Sequence, residues 1–136
     1  MKNNATAIWQ GTGKEGKGSL STKSGILNKA EYSYKSRFEG DNNTNPEELI
    51  AAAHAGCFTM KLSFLLAEAG FTADNLETTC ENIFEKGAVT NSNLSVRGKV
   101  PGISAEKFEA LAQDAGKNCP ISKLLNTEIT VTAQLA

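Results

Sequence analysis

Apolar and polar positions alternate with a short period at the start of this 136-residue chain. Ala5 to Gln10 is a short apolar-rich run. Gly11 to Gly18 is glycine-rich and predicts a hairpin between strands. Ser19 to Ser24 and Ala30 to Glu39 continue in strand-like fashion, with a break near Gly25 and Asn28. In the second of these runs Tyr32, Tyr34, Ser36 and Phe38 fall on one face, and Ser33, Lys35, Arg37 and Glu39 on the other. That alternation puts Arg37 opposite the aromatics. The period lengthens after Asp41-Asn42-Asn43-Thr44-Asn45-Pro46. Asn45 suits a helix N-cap and Pro46 the first helical position, with Glu47 and Glu48 beside the positive end of the dipole. Leu49, Ala52, Ala53, Gly56, Met60 and Phe64 then recur at helical spacing, and Gly70 closes the helix. So few residues here are polar that the pattern predicts a buried central helix.

Short-period alternation returns over Asn75 to Lys86 and Val89 to Val100, an antiparallel pair around Gly87. Ser104 to about Gly116 reads as an amphipathic helix capped by Ser104. Cys119 follows, ahead of Pro120 and a short apolar turn from Ile121 to Leu125. Thr127 to Leu135 closes the chain as a strand with Ile129, Val131, Ala133 and Leu135 on one face. Without repeats or linkers, the expected architecture is a single α+β domain spanning 1–136, with antiparallel sheets packed around the long helix.

Charge narrows the function classes. Fourteen Lys and Arg face 15 Asp and Glu, which lacks the basic excess of a general nucleic-acid binder. Leu49 to Ala69 carries His54, Lys61, Ser63 and Glu68, and reads as too polar for a membrane span. The opening Met1-Lys2-Asn3-Asn4-Ala5-Thr6 shows no signal pattern, so the expected location is the cytoplasm. Three cysteines, Cys57, Cys80 and Cys119, form no C-x-x-C pair. They are core filler, a nucleophile, or a distant pair brought together by folding.

Gly11-x-Gly13-x-x-Gly16 matches a dinucleotide fingerprint, and Gly11-x4-Gly16-Lys17 nearly matches a phosphate loop. Both need a helix directly afterwards, and Ser19-Leu20-Ser21-Thr22 is strand-like, so both are rejected. His54, the only histidine, stands one helical turn before Cys57. It reads as structural, with a Cys57/His54 thiol hydrolase as one alternative and a non-catalytic binder of a lipid-like ligand as another. No convincing set of metal ligands accompanies it. Cys80 reads as packing. Cys119, ahead of Pro120, sits at or beside a helix N-terminus, where the dipole favours thiolate. Arg37 is one of two arginines, and a cation of this kind lowers the pKa of a nearby thiol, especially when a carboxylate holds its guanidinium in place.

Four segments together resemble the OsmC/Ohr family of organic hydroperoxide reductases. They are Ser24-Gly25-Ile26-Leu27-Asn28, Ser36-Arg37-Phe38-Glu39-Gly40, the long block Thr44-Asn45-Pro46-Glu47-Glu48-Leu49 through His54-Ala55-Gly56-Cys57-Phe58, and Asn118-Cys119-Pro120-Ile121-Ser122. The Arg-Phe-Glu-Gly segment favours the OsmC branch. The resemblance implies a peroxidase acting in defence against oxidative and osmotic stress, with no metal or other cofactor. It makes Cys57 the peroxidatic thiol, Cys119 the resolving thiol, and Arg37 with Glu47 the pair that activates Cys57. It further implies an intertwined homodimer and a dithiol reductant, characteristically dihydrolipoyl groups. Glu47 and Cys57 lie about 15 Å apart along a straight helix. That distance favours Glu47 serving the partner's Cys57.

Overall fold

Glycine at position 18 lets two aromatic rings meet across the first sheet. Strands β1 (Ala5–Gln10), β2 (Lys17–Thr22) and β3 (Ala30–Tyr32) are antiparallel in that order. Gly18 pairs with Trp9 on one side and Tyr32 on the other. The two rings close over it at a centroid distance of 5.4 Å, and a methyl at Gly18 would overlap both. The computed structural model describes residues 1–136, which divide into two compact units, Met1–Leu49 and Ile50–Ala136. In the first unit only Ser36 is buried, and β1 is exposed along its whole length. This small sheet has no apolar core of its own.

The strand expected over Ala30 to Glu39 stops at Tyr32. Two serines divert the backbone: Ser36 Oγ accepts from the Ser33 N–H at 2.8 Å, and Ser33 Oγ accepts from the Ser36 N–H at 3.2 Å. Such local bonds compete with a sheet ladder. Lys35–Glu39 winds instead into a single π-helical turn ending at Gly40. Arg37 is therefore not across a sheet from the aromatics. Its guanidinium lies 5.2 Å from the Phe38 ring centroid, and Phe38 packs on Tyr34 at 4.8 Å.

Helix α1 (Pro46–Glu68) begins as its sequence dictates, with the Glu48 N–H donating to Asn45 Oδ1 at 2.8 Å. It ends in a Schellman arrangement, the Phe71 N–H reaching back to the Leu66 carbonyl at 2.8 Å. Its orientation differs from the expectation. The buried stripe is His54, Phe58, Leu62 and Leu66, whereas Met60 and Phe64 are 64% and 60% exposed. The helix is apolar nearly all round, so periodicity could not choose the inner face. By length and composition α1 would also suffice to cross a bilayer, contrary to the sequence reading. Its buried stripe nonetheless belongs to the core of the second unit.

That core joins Phe58, Leu62 and Leu66 to Leu94, Val96, Phe108, Ala112 and Ala115. Strands β4 (Asn75–Glu85) and β5 (Ala88–Lys99) form the expected hairpin. Lys86 and Gly87 both take positive φ, as a two-residue primed turn requires. Strand β6 (Glu128–Leu135) then pairs with β5 in parallel, so this second sheet is mixed where antiparallel pairing was expected. The cause is the connection: helices α2 (Ala105–Asn118) and α3 (Pro120–Leu124) carry the chain across one face and return it in the same direction.

Candidate functional site

The crossover that makes β6 parallel also delivers Cys119. Its N–H closes α2 on the Ala115 carbonyl at 2.9 Å, and its Sγ accepts from the Ser122 N–H at 3.4 Å as the cap of α3. Cys119 is fully buried. Cys57, half-buried on α1, packs against the buried cluster that holds Cys119. Burial pushes the Cys57 thiol pKa up and Cys119 adds to that, while the Ile121 backbone pulls it down. Folding thus unites two thiols that lie 62 residues apart in the chain.

Within the first unit, Arg37 and Glu47 form the second expected pair. Arg37 Nη2 donates to Glu47 Oε1 at 2.8 Å, and Nε donates to the same carboxylate at 3.0 and 3.3 Å. With the Arg37 side chain 40% exposed and that of Glu47 15%, the pair adds only about 0–1 kcal/mol to stability. The fork's value lies in fixing the guanidinium plane. Beside it Trp9, Tyr32, Tyr34 and Phe38 line a cleft of about 340 Å³.

The sequence left His54 with a structural role and Cys80 as filler, and both belong to a buried polar chain. His54 Nδ1 lies 2.6 Å from Ser92 Oγ, and Nε2 lies 2.7 Å from Ser122 Oγ. Ser122 Oγ in turn is 3.0 Å from Cys119 Sγ, and Ser92 Oγ is 3.2 Å from Cys80 Sγ. Both ring nitrogens are occupied by serines, which removes the direct Cys57/His54 nucleophile pair. Ser92 and Ser122 carry no pattern in the sequence that would single them out. The glycine-rich turn leads into β2 rather than a helix, as its rejection as a nucleotide loop required.

Burial holds the His54 pKa below 6.5. The stabilisation this supplies is complete above pH 6.5 and is lost as pH falls through the lowered folded value. Thermal unfolding of the wild type should therefore weaken on acidification, and His54→Gln, which has no ring to protonate, should weaken less steeply. Equal slopes in a Tm series from pH 7.5 to 4.5 would assign the acid sensitivity to other groups.

Comparison with known proteins agrees with this geometry. The OsmC-like protein family matches residues 39–134. Peroxiredoxin OsmC of Escherichia coli strain K12 is 47% identical over 133 residues, covering 95% of this chain and 93% of that protein. Organic hydroperoxide resistance protein-like 2 of Staphylococcus epidermidis is 34% identical over 112 residues, covering 71% of this chain and 72% of that protein. Among solved structures, an OsmC-like protein from Mycoplasma pneumoniae shares the fold with a TM-score of 0.77 at 13% identity, covering 100% of this chain and 98% of that one. An OsmC-like protein from Vibrio cholerae does so with a TM-score of 0.76 at 19% identity, covering 98% and 99%. With its helix, its mixed sheet and its converging thiols, the chain belongs to the OsmC-like family.

Proposed function

We propose that this protein is a cytoplasmic thiol peroxidase that reduces organic hydroperoxides, with Cys57 as the attacking thiol and Cys119 as its resolver. The observation that carries this reading is the packing of Cys57 against the buried cluster that contains Cys119. The names of the two curated relatives, a peroxiredoxin and an organic hydroperoxide resistance protein, support the reaction class. In the first step the Cys57 thiolate attacks the terminal oxygen of R–O–O–H. The O–O bond breaks, the alkoxide takes a proton and leaves as alcohol, and Cys57 becomes a sulfenic acid. In the second, the Cys119 sulfur attacks the Cys57 sulfur, a disulfide forms, and the hydroxyl departs as water. A dithiol donor, of which dihydrolipoyl groups are the expected kind, restores both thiols.

Arg37, held by Glu47, is the cation that favours the Cys57 thiolate and orients the peroxide. Even a half-buried thiol needs such help, because burial opposes ionisation. The active form is a homodimer. Met60 and Phe64 stand on an unburied apolar stripe of α1, and covering a side chain of that size is worth about 1.5–3 kcal/mol. A first sheet with no core of its own points the same way. In that dimer Glu47 serves the partner's Cys57.

Three measurements test this reading. Stoichiometric cumene hydroperoxide should convert the reduced protein to a Cys57–Cys119 disulfide visible by non-reducing mass spectrometry, and kcat/KM should exceed that for hydrogen peroxide. A Cys57–Cys80 bridge, or intermolecular linkage alone, would contradict the assignment. Arg37→Lys keeps the charge and loses the fork, and should cost about 1.5–3 kcal/mol, roughly ten- to a hundredfold in peroxide rate. An unaltered rate removes Arg37 from the site. A heterodimer of one Glu47→Gln chain and one Cys57→Ser chain should retain about half the activity, having one complete site of two. Near-zero activity would put Glu47 and its thiol in the same chain.

A further inference from the structure

His54 is fully buried and bonded to two serine hydroxyls, each of which touches a different cysteine. The chain runs Cys119–Ser122–His54–Ser92–Cys80 and crosses α3, α1, β5 and β4. Its direction follows from its far end. The Cys80 thiol donates to Asn82 Oδ1 at 3.5 Å, so the 3.2 Å contact with Ser92 uses the Ser92 hydroxyl as donor. Ser92 Oγ must then accept from His54 Nδ1–H. A neutral imidazole protonated on Nδ1 offers Nε2 as an acceptor. Ser122 therefore donates to Nε2, and the Ser122 oxygen is left to accept from the Cys119 thiol. The titratable groups along the chain are the two thiols at its ends and the imidazole between them. Burial favours the neutral ring, which is the form able to take a proton.

We infer that His54, acting through Ser122, is a positioning residue that withdraws the proton of Cys119 during disulfide closure. The inference rests on Cys119 being the resolving thiol. As the Cys119 proton moves to Ser122 Oγ, the Ser122 proton moves to His54 Nε2. The Cys119 thiolate attacks the Cys57 sulfenic sulfur, the S–S bond forms and the S–O bond breaks. The departing hydroxide takes up the proton that the imidazolium gives back. One thiol and one sulfenic acid become one disulfide and one water, with His54 and Ser122 restored. Ser92 and Cys80 hold the tautomer that leaves Nε2 free of a proton, which gives the third cysteine a role without redox chemistry.

An ordinary thiol with a pKa near 8.5 is only about 3% thiolate at pH 7, so a base taking its proton is worth up to about thirtyfold. The test separates the two chemical steps. The reduced homodimer is mixed with one equivalent of cumene hydroperoxide. Sulfenic acid is trapped with dimedone, and disulfide is followed by quenched mass spectrometry. His54→Gln and Ser122→Ala should form sulfenic acid at the wild-type rate. Closure should be slowed about ten- to thirtyfold at pH 7 and converge on the wild-type rate near pH 9.5, where thiols ionise unaided. If His54→Gln fails to fold, Ser122→Ala carries the same test, since it keeps the ring and the backbone cap. Wild-type closure rates in both variants at pH 7 would overturn the relay. So would a closure defect that persists at high pH, or one matched by an equal loss in the first step. A wild-type protein that turns over peroxide without forming the Cys57–Cys119 disulfide would instead overturn the two-thiol reading, and the relay with it.

Discussion

An imidazole shut away from water must find a partner for each nitrogen, and leaving one unmet costs about 1–3 kcal/mol. His54 meets that demand by reaching β5 through Ser92 and α3 through Ser122. The long helix, the middle strand of the second sheet and the short turn carrying the buried thiol are thereby pinned at one point. The apolar core around Phe58, Leu62 and Phe108 supplies most of the cohesion, but apolar contacts alone tolerate sliding. Hydrogen bonds of defined length do not. The polar pin sets the depth and rotation of α1 against the turn that holds Cys119, and so sets where Cys57 meets its neighbour.

The two expected pairs stand in different surroundings. In the Arg37–Glu47 pair the arginine is partly exposed and the carboxylate mostly covered, and the fork fixes a plane. The thiol pair sits in the opposite environment, where burial resists charge.

Much of this was legible in the chain. Asn45 and Gly70 bound α1 where the sequence placed its ends, because capping is a local contest that neighbouring residues decide. The β4–β5 hairpin and the apolar face of β6 were readable for the same reason. The inner face of α1 was not, since a helix apolar on every side carries no marker of which side turns inward. Nor was the π-helical turn at Lys35–Glu39, where alternation persisted by coincidence while Ser33 and Ser36 took over the backbone. The parallel direction of β6 was hidden because period-two patterning is the same in either direction. Resemblance of whole segments picked out Arg37, Glu47, Cys57 and Cys119 as candidate site residues. Ser92 and Ser122 lay beyond reach, because a serine becomes informative only once its neighbours in space are known.

The parallel return of β6 orders events during synthesis. Antiparallel neighbours β4 and β5 can pair as soon as both have emerged, their contacts being close in sequence. The β5–β6 ladder spans the whole α2–α3 excursion, and closing so long a loop comes at an entropic cost that delays it. Cys119 rides on that excursion, whereas Cys57 leaves the ribosome 62 residues earlier. Cys57 therefore exists for a time without the neighbour that the finished fold gives it. Completion of the last strand is what fixes the α2–α3 excursion, and Cys119 with it, against the core that Cys57 already borders.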